Sequence, residues 1–113
     1  MAAPIIDAAT FAELQESAGA DFVGELIDTF FEEAPTMLAE LRRASAAGDA
    51  EAFRRAAHSL KSNANTFGAL ALGATAKELE LGGLDAARAP EALERVDQEY
   101  RRAAAALSEL RGG

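Results

Sequence analysis

The sequence predicts an all-α domain, an antiparallel up-and-down four-helix bundle with a short N-terminal helix over one end. Three observations support this. Ala, Leu, Glu and Arg, all strong helix formers, dominate the 113 residues. Apolar residues recur at spacings of three and four along four long segments. Glycine or proline marks the junctions between those segments, where helices stop and start. No β-branched alternating run and no Asn-Gly or Asp-Gly hairpin signal competes with this pattern. The length suits one domain with one core, residues 1–113.

Thr10 followed by Glu13 has the form of a capping box, so the first helix is expected over about 11–17, ending near Gly19. Asp21 is a suitable cap for the second, over about 22–46, where Val23, Ile27, Phe30, Ala34, Met37 and Leu41 form the apolar stripe. Pro35 lies inside that pattern and predicts a kink or break, because its ring removes a backbone donor and crowds the preceding turn. Gly48 stops this segment and Asp49 caps the third helix, 50–67, on which Phe53, Ala57, Leu60, Ala64 and Phe67 fall in phase. Gly68 stands where a left-handed C-cap belongs. A fourth helix, about 70–82, carries Leu72, Ala76 and Leu79 and ends at Gly82 and Gly83, leaving "LDAARA" as a connection. Pro90 opens the last helix, 90–110, at the position where its missing donor costs least. Leu93, Val96, Tyr100, Ala103, Leu107 and Leu110 form its stripe.

The formal charge of −8 argues against nucleic acid or an anionic membrane as a partner. Its distribution is uneven: residues 1–47 carry nine acids and two bases, whereas 48–68 carry two acids and three bases, Arg54, Arg55 and Lys61. Cysteine is absent, which excludes disulfides, thiolate metal sites and a cysteine nucleophile. The start, "MAAPIIDAATF", lacks the basic and long apolar regions of an export signal, and the longest uncharged run falls short of a membrane span. A soluble cytoplasmic protein is expected, with a monomer as the simplest state for one self-contained bundle.

The only histidine, His58, opens "HSLKSNANTFGA". At about 100° per residue it lies roughly 160° around the third helix from Leu60, and so faces water. Lys61, Ser62 and Asn65 follow at i+3, i+4 and i+7 and share its side. Ser and Asn are poor helix formers, and such a run often frays into a turn. Ala64 and Phe67 nevertheless keep the apolar phase, which favours a continuous helix with small polar side chains beside the ring. One histidine without cysteine makes no usual zinc site, and Arg55 stands where a di-iron bundle needs glutamate. Neither a nucleophile elbow nor a glycine-rich phosphate loop is present, so autonomous ATP use is not expected. What remains is the imidazole itself, whose unprotonated nitrogen can attack phosphorus near neutral pH.

The stretch "AAHSLKSNANTFGA", Ala56 to Ala69, resembles the signature of histidine-containing phosphotransfer (HPt) domains, His-x-Leu-Lys followed by small residues and a hydrophobic-Gly-Ala step. The likeness extends over about residues 20–110. Many members have glycine directly after the lysine, where this chain has Ser62. The resemblance implies a phosphorelay intermediate in which His58 accepts a phosphoryl group from a receiver-domain aspartyl phosphate and passes it to another receiver aspartate. Lys61 would help neutralise the phosphohistidine, and Ser62, Asn65 and Gly68 would shape or support the docking surface, with Leu60, Ala64 and Phe67 as its structural backing. Arg54, Arg55, Phe11, Leu14 and Phe22 are candidates for the docking periphery.

The implied partners are response-regulator receiver domains and a hybrid sensor histidine kinase. The chain would be a phosphocarrier with no metal or cofactor of its own, relying on Mg²⁺ in the receiver. The alternative is a binding-only regulator of a receiver that does not cycle phosphate; an independent enzyme using His58 as acid or base is the third reading.

Overall fold

The computed structural model describes residues 5–112; the outermost parts of the expected domain, residues 1–4 and 113, lie outside the described residues. Five helices form: α1 (Ala8–Ala18), α2 (Ala20–Ala47), α3 (Ala50–Phe67), α4 (Leu70–Ala86) and α5 (Pro90–Arg111), with no strand among the described residues. Helices α2, α3, α4 and α5 pack in cyclic order, each against the next and α5 against α2, while α1 rests on α2 and α3. Ion pairs show the directions. Arg42, late in α2, meets Asp97, early in α5, and Arg111 at the end of α5 reaches Asp28 near the start of α2. These two helices are therefore antiparallel.

Helix α1 begins before the expected Phe11, because the cap is Asp7 rather than Thr10. The Asp7 carboxylate accepts from the Thr10 amide at 3.0 Å and from its hydroxyl at 2.6 Å, engaging the oxygen that Thr10 would have used as a cap. Those two bonds, the hydroxyl first, hold the Asp7 carboxyl below its usual range. Helix α2 also starts earlier than its expected cap: Gly19, with φ 89°, precedes it, and Asp21 sits inside the first turn. The helix runs through Pro35 as one element, with Pro35 exposed and the adjoining Ala34 fully buried. Burial of the stripe on both sides of the proline offsets the lost backbone bond.

Asp49 caps α3 by accepting from the Ala52 amide at 3.1 Å, and Gly68 closes it in the left-handed conformation, φ 83° and ψ 15°. Gly68 also joins α1 to the bundle: its carbonyl accepts from the Asp7 amide at 2.8 Å. A Cβ at Gly68 would lie 2.9 Å from the Asp7 carbonyl oxygen, so both conformation and space demand glycine there. In α4 the regular backbone breaks at Gly83, φ 63° and ψ −148°. A further helical turn, Leu84–Ala86, follows, so the connection to α5 is shorter than "LDAARA" suggested.

The core takes one stripe from each long helix: Ile27, Phe30 and Leu41 from α2, Phe53 and Leu60 from α3, Leu72 and Leu79 from α4, and Val96 and Leu107 from α5. Phe30 lies at its centre, its ring 5.4 Å from Phe67 and 5.7 Å, edge-on, from Tyr100. Leu110, assigned to the α5 stripe by its spacing, is half exposed at the helix end. Among the described residues no helix is long and apolar enough to cross a membrane.

Candidate functional site

The site is built on α3, whose two sides serve different purposes. Phe53, Ala57, Leu60 and Ala64 are fully buried, while the His58 side chain, between them in sequence, is 59% exposed. The polar run after His58 remains helical because Ala64 and Phe67 within it stay buried, and its polar side chains bond back onto carbonyls of the same helix. Asn63 Nδ2 donates to the Ser59 carbonyl at 2.8 Å and the Thr66 hydroxyl to the Ser62 carbonyl at 2.9 Å. Fraying would break these bonds and expose Phe67. Ser62 and Asn65 are exposed on the His58 side of the helix.

Asn65 also shows how closely α4 approaches. Its Oδ1 lies 2.0 Å from where a Cβ on Gly73 would stand, so the amide rests on α4 only because Gly73 has no side chain. About two helix turns further along the interface, Glu80 of α4 meets α3. Its Oε2 lies 2.7 Å from His58 Nδ1, and its Oε1 is 2.6 Å from Lys61 Nζ. Oε1 is closed to solvent and has no well-directed hydrogen bond, so Lys61 offsets its charge as an ion pair. The Lys61 contact first, and the His58 contact second, hold the Glu80 carboxyl below its ordinary range against the opposing effect of desolvation.

This arrangement fixes the chemistry of the ring. An ionised carboxylate only accepts, so neutral His58 donates from Nδ1 and keeps its lone pair on Nε2. Glu80 thereby orients the imidazole and leaves one nucleophilic nitrogen opposite the anchored edge. Lys61, expected to be available for a phosphoryl group, is already engaged, and its side chain is only 24% exposed.

Of the expected periphery, Arg54 and Arg55 are exposed one turn before His58. Phe22 is 51% exposed at the start of α2, Leu14 is half-buried against the core, and Phe11 is buried at 6%. Phe11 thus belongs to the packing of α1 onto the bundle and offers no docking surface. A hollow lined by Phe11, Val23, Gly24, Ile27 and Arg111 lies at the α1 end and shares no residue with the His58 face. No group of three or more potential metal ligands occurs among the described residues. Sequence reasoning missed Glu80. It stands 22 positions after His58 in an acidic stretch, and only the antiparallel register of α3 and α4 singles it out.

A sequence model described as the Hpt domain matches residues 25–110 of the chain. Among solved structures, the chain is similar to histidine-containing phosphotransfer protein B (HptB) from Pseudomonas aeruginosa PAO1. The TM-score is 0.87 and the sequences are 34% identical, over 97% of this chain and 96% of that one. No curated protein matches significantly.

Proposed function

The chain belongs to the Hpt-domain family, whose role is histidine phosphotransfer within phosphorelays, and from that premise we propose that His58 relays a phosphoryl group between two receiver aspartates. The observation that carries this reading is an exposed imidazole whose Nδ1 is bound by Glu80 and whose Nε2 is open. The Nε2 lone pair attacks the phosphorus of an aspartyl phosphate, the bond from phosphorus to the carboxyl oxygen breaks, and the aspartate leaves as a carboxylate. No proton moves in this step. His58 becomes a phosphoimidazolium that retains its Nδ1 proton facing Glu80, and the carboxylate stabilises the positive charge as it develops. Return transfer to a second aspartate reverses the same bonds.

Positioning is the contribution of this chain, and the receiver supplies Mg²⁺ and the groups that stabilise the transferring phosphoryl. The donor receiver would belong to a hybrid sensor histidine kinase, and the carrier would act as a cytoplasmic monomer without ATP-dependent kinase activity. Lys61 balances Glu80, so that phosphate arrives beside a neutral pair rather than a bare carboxylate.

The test is incubation with a phosphorylated receiver domain and Mg²⁺. Wild type should gain acid-labile phosphate and His58→Gln none, with thermal unfolding of the variant nearly unchanged because the ring is exposed. Equal labelling of both proteins would sink the carrier role.

A further inference from the structure

The chain has two lysines among eleven basic residues, Lys61 and Lys77, and both fall on the α3–α4 face that carries His58. Gly73, Lys77 and Glu80 follow at steps of four and three on α4 and so form one stripe. Two observed contacts bracket that stripe: Asn65 rests on Gly73 at one end, and His58 bonds to Glu80 at the other. Lys77 therefore stands one turn from Glu80, opposite the Lys61–Ser62 turn of α3. It is exposed, and among the described residues no acid comes within 4.0 Å of its ammonium.

On the other side of the ring Arg54 and Arg55 stand one turn earlier on α3, exposed and likewise without an ion-pair partner. Of the acids nearby, Glu80 is engaged by Lys61, Glu78 by Arg95 at 3.5 Å and Glu40 by Arg43, while Glu51, one turn before Arg54 and Arg55, is exposed and forms no ion pair among the described residues. In a protein of net charge −8, three bases around the phosphoacceptor, Arg54, Arg55 and Lys77, thus have no ion-pair partner among the described residues.

We propose that Lys77, with Arg54 and Arg55 across the ring, forms a basic rim that selects receiver domains presenting an acidic face around the phosphorylated aspartate. The inference rests on the phosphocarrier reading above and adds the charge of the partner surface and an α4 residue that recognises it. The Cα–Cβ bond of a helical residue tilts toward the helix N-terminus, which at Lys77 is away from Glu80 and favours contact with the partner beside the ring over contact with the phosphoryl on it. The rest of the chain repels acidic proteins; the rim supplies local attraction and orients the encounter.

Two phosphodonors separate partner recognition from ring chemistry. A receiver domain that phosphorylates the wild-type chain must dock, whereas phosphoramidate needs only the open Nε2, which takes the phosphoryl group as the P–N bond breaks and ammonia leaves. Lys77→Glu should slow uptake from the receiver by about tenfold at low salt, and added salt should shrink that difference. Uptake from phosphoramidate should match wild type, and Lys77→Arg should restore receiver transfer. Lys77→Glu with wild-type receiver kinetics at low salt overturns the proposal, as does an equal slowing with both donors, which would place Lys77 on the phosphoryl itself. Failure of the carrier reading looks different: wild type then takes no phosphate on His58 from either donor, and the rim falls with it.

Discussion

The α2–α5 side and the α3–α4 face both carry ion pairs between helices, but they use different cations. Arg42 pairs with Asp97 across α2 and α5, and Arg111 bonds to Asp28 at 2.5 Å while donating to the Gly24 carbonyl at 3.2 Å. On the α3–α4 face the acid is Glu80, and its partners are a histidine and a lysine. A guanidinium keeps its charge at any working pH and holds several acceptors in a fixed fork, which suits a clasp. An imidazole changes protonation near neutrality, and an ammonium is a mobile point charge. Charge that has only to hold the bundle is placed on arginine; on the phosphocarrier reading proposed above, charge that would meet an arriving phosphoryl group is placed on histidine and lysine.

The largest break in that contrast should come from behind the site. Leu60, two residues from His58, is fully buried, so Leu60→Ala should lower unfolding stability by about 2–5 kcal/mol in a urea titration. The exposed His58→Gln should move the same curve very little, and a comparable loss from both would erase the division of α3 into core and working sides. Glu80→Gln comes next. The amide can still accept from Nδ1 but no longer offsets a positive ring, so phosphoryl uptake should slow by about 10-fold or more, the scale of one preorganised electrostatic partner.

The same variant has a pH signature. Because Lys61 and His58 depress the Glu80 carboxyl in the folded protein, its stabilising contribution is present above the ordinary carboxylate range and is lost as the pH falls through the depressed value. Wild type should therefore lose more melting temperature on acidification than Glu80→Gln. Parallel pH curves would mean that the Glu80 contacts do not persist in solution.

The backing of the site was legible in sequence because it is periodic. Phe53, Ala57, Leu60, Ala64 and Phe67 have one phase, and that phase alone placed His58 on the outside of a helix that the structure carries from Ala50 to Phe67. What escaped depended on neighbours distant in sequence or on competition between adjacent caps. Glu80 looks like any surface acid until α4 folds back along α3, and its grip on Lys61 follows from the same register. Asp7 took the cap from Thr10 because its carboxylate satisfies both the Thr10 amide and the Thr10 hydroxyl. The turn beyond Gly83 escaped because a glycine pair marks a break without saying whether helix resumes.

The smallest expected effect tests the clasp. Arg111 and Asp28 are both substantially exposed, at 38% and 52%, so water and salt screen their attraction. Arg111→Ala should lower the urea-unfolding midpoint only slightly, in part through the ion pair and in part through the lost Gly24 carbonyl bond. Most of the ion-pair part should vanish at high salt, while the carbonyl bond should be less affected. Phosphoryl uptake by His58 should stay at the wild-type rate, since α5 supplies no side chain to the His58–Glu80–Lys61 cluster. A marked fall in uptake with stability preserved would mean that the α2–α5 clasp sets the geometry of the opposite face, and the two sides could no longer be treated as separate assignments of charge.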